Sequence, residues 1–219
     1  MNLAKGVVQF MLLEFKLEFR LKYAIAALLM YVLSTVYLVY FSLEYQGVRE
    51  DLLPTIWSIF FWLIVLFTTV NATFRSFSKE SQGRMLFYYN LMPARVFILS
   101  KILVNAFISL FLSVLTTLIF WVILGNPSQN IGVYFLALSI GTIGYSFLFT
   151  YISAIAAKAG SNASLSVILG FPLAIPLLTI IVKLFGEAFK PELSLNFDNN
   201  VWIALGFNFI PLLLALILF

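Results

Sequence analysis

The only long charged loop that this chain places on its basic side lies between Arg75 and Lys101. The segment reads Arg75-Ser-Phe-Ser-Lys79-Glu80-Ser-Gln-Gly83-Arg84, continues as Met-Leu-Phe87-Tyr88-Tyr89-Asn-Leu-Met-Pro93-Ala-Arg95, and closes at Ser100-Lys101. Charges beside a run of aromatics suit docking to another protein. Lys79, Glu80 and Arg84 would form a polar rim, with Phe87, Tyr88 and Tyr89 as apolar anchors. The bland alternative is a loop held at lipid headgroups by the same basic and aromatic residues. Neither reading is catalytic. Histidine and cysteine are both absent, which removes the commonest general base, the commonest metal ligand and all thiolate chemistry. Serines such as Ser113, Ser139 and Ser153 have no histidine to activate them. No Gly-x-x-x-x-Gly-Lys-Ser/Thr run is present to cradle ATP, and no His-Glu-x-x-His to hold zinc. The chain reads as a non-enzyme with no catalytic, metal or cofactor site of its own. Work done through it needs an energy source elsewhere, and this segment is where its action would enter.

The elements that must position the segment are hydrophobic. The chain is 63% hydrophobic and 10% charged over 219 residues, against about 25% charged in soluble domains. Uncharged runs cover Tyr23–Leu43, Leu52–Phe74, Ile102–Ala157, Ala159–Val182 and Asn199–Phe219. A helix needs about 20 apolar residues to cross the hydrocarbon core. The longest run is therefore two crossings, broken at Gly125-Asn-Pro-Ser-Gln-Asn-Ile-Gly132. The runs are continuous rather than alternating, which argues against a β-barrel. The expected fold is all-α: one polytopic transmembrane domain over 1–219, with six transmembrane helices at 23–42, 54–73, 98–124, 131–156, 162–183 and 201–219. Residues 3–22 precede them as an interfacial or elbow helix, and 74–97 form a cytoplasmic coupling loop. No internal repeat is visible, so an inverted-repeat transporter has no direct support.

Basic residues set the orientation. With the N-terminus in the cytoplasm, Lys5, Lys16, Arg20, Lys22, Arg75, Lys79, Arg84, Arg95, Lys101 and Lys158 lie inside, and only Arg49, Lys183 and Lys190 lie outside. Both termini are then cytoplasmic. Trp57, Trp121 and Trp202 fall near the outer interface, where an aromatic belt would place them.

Residues Glu14–Lys22 alternate strictly between charged and apolar. A lone strand at a membrane surface leaves its backbone unpaired, so a helix is expected there. It is either a simple interfacial anchor or an elbow that also touches a cytoplasmic partner. Within the spans, Asn71, Lys101, Asn105, Pro172 and Pro176 are the polar and hinge candidates. Asn105 lies one turn beyond Lys101, so both can share a face. A lysine this close to the interface is expected to snorkel to it; the sharper reading is a polar pathway. Gly141 and Gly144 are expected to permit close helix contact. Pro172 and Pro176 would kink the fifth span, as static shape or as a hinge.

Two stretches resemble a known family. Arg75, Phe77, Glu80, Gly83, Tyr88, Leu91, Pro93, Lys101 and Asn105 form one, and Gly141 through Ser153-Ala-Ile-Ala-Ala157 to Pro172-x-x-x-Pro176 the other. Their order is similar to that of the CcmB family, the permease-like subunit of the haem-exporter-type ABC assembly in cytochrome c maturation. The resemblance implies an ABC-2-like permease fold in the bacterial inner membrane. It implies a homodimer seated on a separate ATPase, CcmA, with CcmC and CcmD as neighbours and release of the haem-loaded chaperone CcmE as the output. ATP would be bound by the partner, and haem handled elsewhere in the complex. The alternative is a generic ABC-2 exporter permease for a lipid, drug or glycan, whose path would be lined by groups such as Asn71 and Asn105.

Overall fold

Backbone polar groups inside a bilayer must be satisfied within their own segment, so long apolar runs wind into helices. A computed structural model describes residues 3–20, 22–46, 53–78, 93–158 and 163–218. Its long elements are α1 (Leu3–Arg20), α2 (Lys22–Gln46), α3 (Leu53–Ser78), α4 (Ala94–Leu124), α5 (Ile131–Lys158), α6 (Ala163–Gly186) and α7 (Phe197–Leu218), with a 3-10 turn at Glu187–Phe189. There is no strand among the described residues. By length and composition five helices can cross a membrane, over Pro54–Phe77, Ala94–Leu124, Ile131–Ala157, Ile168–Phe189 and Phe197–Leu218. A sixth, α2, carries a shorter apolar stretch at Ala26–Ser42. The protein is a polytopic all-α membrane protein. Residues 74–78 complete α3 and 94–97 open α4, so helix occupies both ends of the segment expected as loop.

The central element is α5, which packs against α3, α4, α6 and α7. Its sequence allows this because glycine, serine, threonine and alanine recur along it, letting neighbouring backbones approach. A Cβ on Gly141 would fall 2.7 Å from Ile181 Cγ2 and 2.8 Å from Trp62 Cζ3. One on Gly144 would run into the amide of Asn208, whose Nδ2 donates to the Ile140 carbonyl at 2.8 Å. Both glycines make the close contacts expected of them. Peripheral α2 touches the bundle along one stripe, Leu28, Val32, Val36 and Val39.

At the end of the bundle where α4 turns into α5, aromatic rings from several helices interlock. Phe61 and Phe185 stack at 5.2 Å, Tyr134 lies 4.6 Å from Phe185, and Trp57 lies 4.8 Å from Phe120. Trp57 is 2% exposed. That corrects the belt expectation: facing α4 and α6, its indole fills the core instead of anchoring in lipid headgroups. Trp202 does point outward, and Trp121 is half-buried against Tyr134. Beyond the rings, the N–H groups of Gln129 and Asn130 donate to the Ala188 carbonyl at 2.9 and 3.0 Å. Asn130 Oδ1 accepts from the Val133 N–H at 3.2 Å and caps α5. Buried Glu187 accepts from Lys190 Nζ at 2.7 Å and from the Ser194 N–H at 2.8 Å. The α4–α5 and α6–α7 connections are thus tied to each other and to themselves.

Candidate functional site: a buried polar junction beside the α3–α4 connection

The opposite end is built on α4. With 31 residues it is roughly 46 Å long, well beyond a hydrocarbon core of about 30 Å. Its first turns are therefore free to receive something other than lipid, and α1 lies there. Val7, Phe10 and Glu14, spaced three and four apart, form the buried face of α1, while Val8, Leu12 and Leu13 face outward. Phe10 meets Phe97 at 5.5 Å, and Phe15 meets Phe107 edge-on at 5.1 Å. Ser100 Oγ donates to its own helix at Val96 and reaches the Val7 carbonyl at 3.3 Å. The outward face mixes Val8, Leu12 and Leu13 with Gln9 and Lys16 while the carboxylate points inward, an arrangement suited to a helix lying in the lipid boundary.

Lys101 sits at the centre. Its ammonium donates to Glu14 Oε2 at 2.9 Å, to the Ser76 carbonyl at 2.9 Å and to Ser76 Oγ at 3.4 Å. The rings of Phe77 and Phe97 lie 5.6 and 5.8 Å from it. Lys101 is 1% exposed and Glu14 3%. The snorkelling expectation is overturned, because a carboxylate and a helix end reach the lysine inside the protein. Ser76 belongs to the last turn of α3, whose carbonyls lack intrahelical partners and carry the negative end of the helix dipole. Glu14 on α1 and Ser76 on α3 thus offer acceptors from two other helices to one ammonium. A charge this deeply buried needs such partners, since removing one leaves the other uncompensated.

One turn further along, Asn105 is buried and donates from Nδ2 to Thr150 Oγ1 at 3.0 Å. Lys101 and Asn105 do share the inner face of α4, but each is committed to a different neighbour. Asn71 is exposed and bonds its own helix at Phe67, 2.9 Å away. The structure does not bring Asn71 and Asn105 to a common lining. Pro172 and Pro176 lie on the exposed side of α6, which continues through both as one helix. Pro176 borders an apolar crevice of about 160 Å³ with Tyr151, Phe207 and Pro211.

Of the docking residues expected from the sequence, Arg75 is half-buried at the end of α3, and Pro93 is exposed, its carbonyl accepting from the Val96 N–H at the start of α4. Lys79, Glu80, Gly83, Arg84, Phe87, Tyr88 and Tyr89 lie outside the described residues. The junction adjoins both ends of that segment: Ser76 and Phe77 precede it, and Phe97 and Lys101 follow. Sequence reasoning missed Glu14 and Ser76 as partners of Lys101. The available signal was Glu14 sharing an α1 face with Val7 and Phe10, a carboxylate on an apolar stripe that requires a cation opposite.

A family model described as CcmB protein matches residues 5–217, from α1 to the end of α7. The chain belongs to the CcmB family. No curated protein matches it. Membership makes this chain a membrane permease subunit of the haem-exporter-type ABC system of cytochrome c maturation. The match takes in the whole α1–α3–α4 junction and both prolines of α6.

Proposed function

We propose that this CcmB-family subunit couples ATP hydrolysis by a separate ATPase, CcmA, to release of the haem-loaded chaperone CcmE, in a complex that also holds CcmC and CcmD. The subunit is a homodimer in the bacterial inner membrane with both termini in the cytoplasm. ATP stays on the partner. Haem is cargo of the complex and is ligated by other subunits, in keeping with a chain that has no histidine or cysteine. Residues 75–93 dock on the ATPase as a coupling element, Lys79, Glu80 and Arg84 at the rim and Phe87, Tyr88 and Tyr89 in its groove. One observation carries the reading: Lys101, just after that segment, is bonded both to Ser76 at the end of α3 and to Glu14 of α1. A push on the segment is therefore delivered to three helices together.

The test is purification from native membranes through a tag on this subunit. Recovery of CcmA, CcmC and CcmE is expected. An ATPase recovered without haem-handling partners would defeat the reading in favour of an exporter of a lipid, drug or glycan. The double substitution Tyr88→Ala/Tyr89→Ala should leave insertion intact and uncouple ATP hydrolysis from CcmE release; unchanged coupling would remove the docking assignment.

A further inference from the structure

The contacts described between α1 and α4 are of three kinds, the weakest polar one being the 3.3 Å bond from Ser100 Oγ to the Val7 carbonyl. Phe10 on Phe97 and Phe15 on Phe107 are apolar ring contacts, and hydrophobic burial is non-directional. Such contacts tolerate sliding. The ammonium of Lys101 does not, because its bonds to Glu14 Oε2 and the Ser76 carbonyl, both 2.9 Å, converge on one atom. A slip of α1 by one turn, about 5.4 Å, would part Lys101 from Glu14 Oε2 inside a buried site. Stability alone would not require ions here, since apolar side chains of similar volume commonly serve a buried site as well or better. What the ions add is a fixed register among α1, α3 and α4.

The geometry points to the Glu14–Lys101 pair, closed by Ser76, as the joint that makes α1 and the loop-bearing ends of α3 and α4 move as one body, with Lys101 as its positioning residue. The inference rests on the coupling reading above. Because Val8, Leu12 and Leu13 lie on the outer face, the joint would carry α1 through the lipid boundary whenever the α3–α4 ends shift.

The chain has no cysteine, so spin labels can be placed at outward-facing Leu12 on α1 and Leu103 on α4 without removing native thiols. In nanodiscs holding the assembled complex with one labelled and one unlabelled copy of this subunit, the Leu12–Leu103 distance should keep one narrow distribution with and without ATP. In Lys101→Met it should broaden, and CcmE release per ATP hydrolysed should fall by about tenfold or more. The deciding variant is the apolar double, Glu14→Leu/Lys101→Met. Removing both charges should restore insertion and unfolding resistance to near wild type, while the distribution stays broad and release stays low. A merely structural pair predicts that stability and release recover together, and that result overturns the joint. Should either Met variant fail to insert, Glu14→Gln keeps an acceptor for Lys101. It should widen the distribution and lower release severalfold; a native distribution with full release overturns the proposal. Failure of the coupling reading looks different: Tyr88→Ala/Tyr89→Ala would then leave release unchanged in an otherwise wild-type joint.

Discussion

Replacing Gly141 with alanine tests the packing of the central helix. The added methyl group would meet the Trp62 ring and Ile181 Cγ2, the latter 2.7 Å away. Neither wall can yield cheaply, because Trp62 and Ile181 are both 0% exposed and Trp62 is wedged against Phe61, Tyr145 and Phe185. Overpacking a tight core costs about 1–3 kcal/mol, and opposed rigid walls place this case at about 2–3 kcal/mol. That is a roughly 30- to 150-fold loss in the folded-to-unfolded ratio. Gly206 on α7 is the control, since a Cβ there meets nothing within 4 Å. Its alanine variant gains helix propensity, at most about 1 kcal/mol in water and less where the unfolded chain remains helical in detergent. The assay is unfolding in mixed micelles by rising dodecyl sulfate, followed by tryptophan emission. The reasoning is refuted if Gly141→Ala unfolds within about 0.5 kcal/mol of wild type, or if Gly206→Ala loses as much as Gly141→Ala.

Other substitutions probe other parts of the bundle. Phe185→Ala removes the ring that Phe61, Trp62, Tyr134 and Phe189 share; it should cost about 3–5 kcal/mol and red-shift the tryptophan emission. Asn130→Ala deletes the cap on α5 and should cost about 1 kcal/mol, read as a lower denaturant midpoint that Asn130→Asp largely recovers. Asn105→Ala breaks the bond to Thr150 and should cost about 1 kcal/mol in the same assay. Asn71→Ala, on an exposed side chain bonded within its own helix, should change stability by less than about 0.5 kcal/mol and leave CcmE release unaltered. Loss of release in Asn71→Ala without loss of stability would instead favour a polar transport path.

The all-α membrane fold was legible because uninterrupted apolar runs have few physical solutions in a bilayer. The Glu14–Lys22 alternation, which mimics a strand, yields to a helix in α1 for the same reason of backbone satisfaction. The roles of Gly141 and Gly144 could be read as close approach, but not that Trp62 and Asn208 are what approach them. Lys101 was legible as a special residue and not as a buried one. Its carboxylate partner is 87 positions away, and spacing along one helix carries no information on which other helix will cover it. Trp57 misled for a related reason: whether its face of α3 meets lipid or α6 depends on packing order. Of the residues expected to dock, only Arg75 and Pro93 have described positions.

Photocrosslinking from residue 88 tests the central claim most directly. With Tyr88→p-benzoylphenylalanine in the native complex, irradiation should attach this subunit to the CcmA ATPase, and the same probe at outward-facing Trp202 should not. Capture of lipid alone at residue 88, with CcmA still copurifying, would contradict docking through the α3–α4 connection.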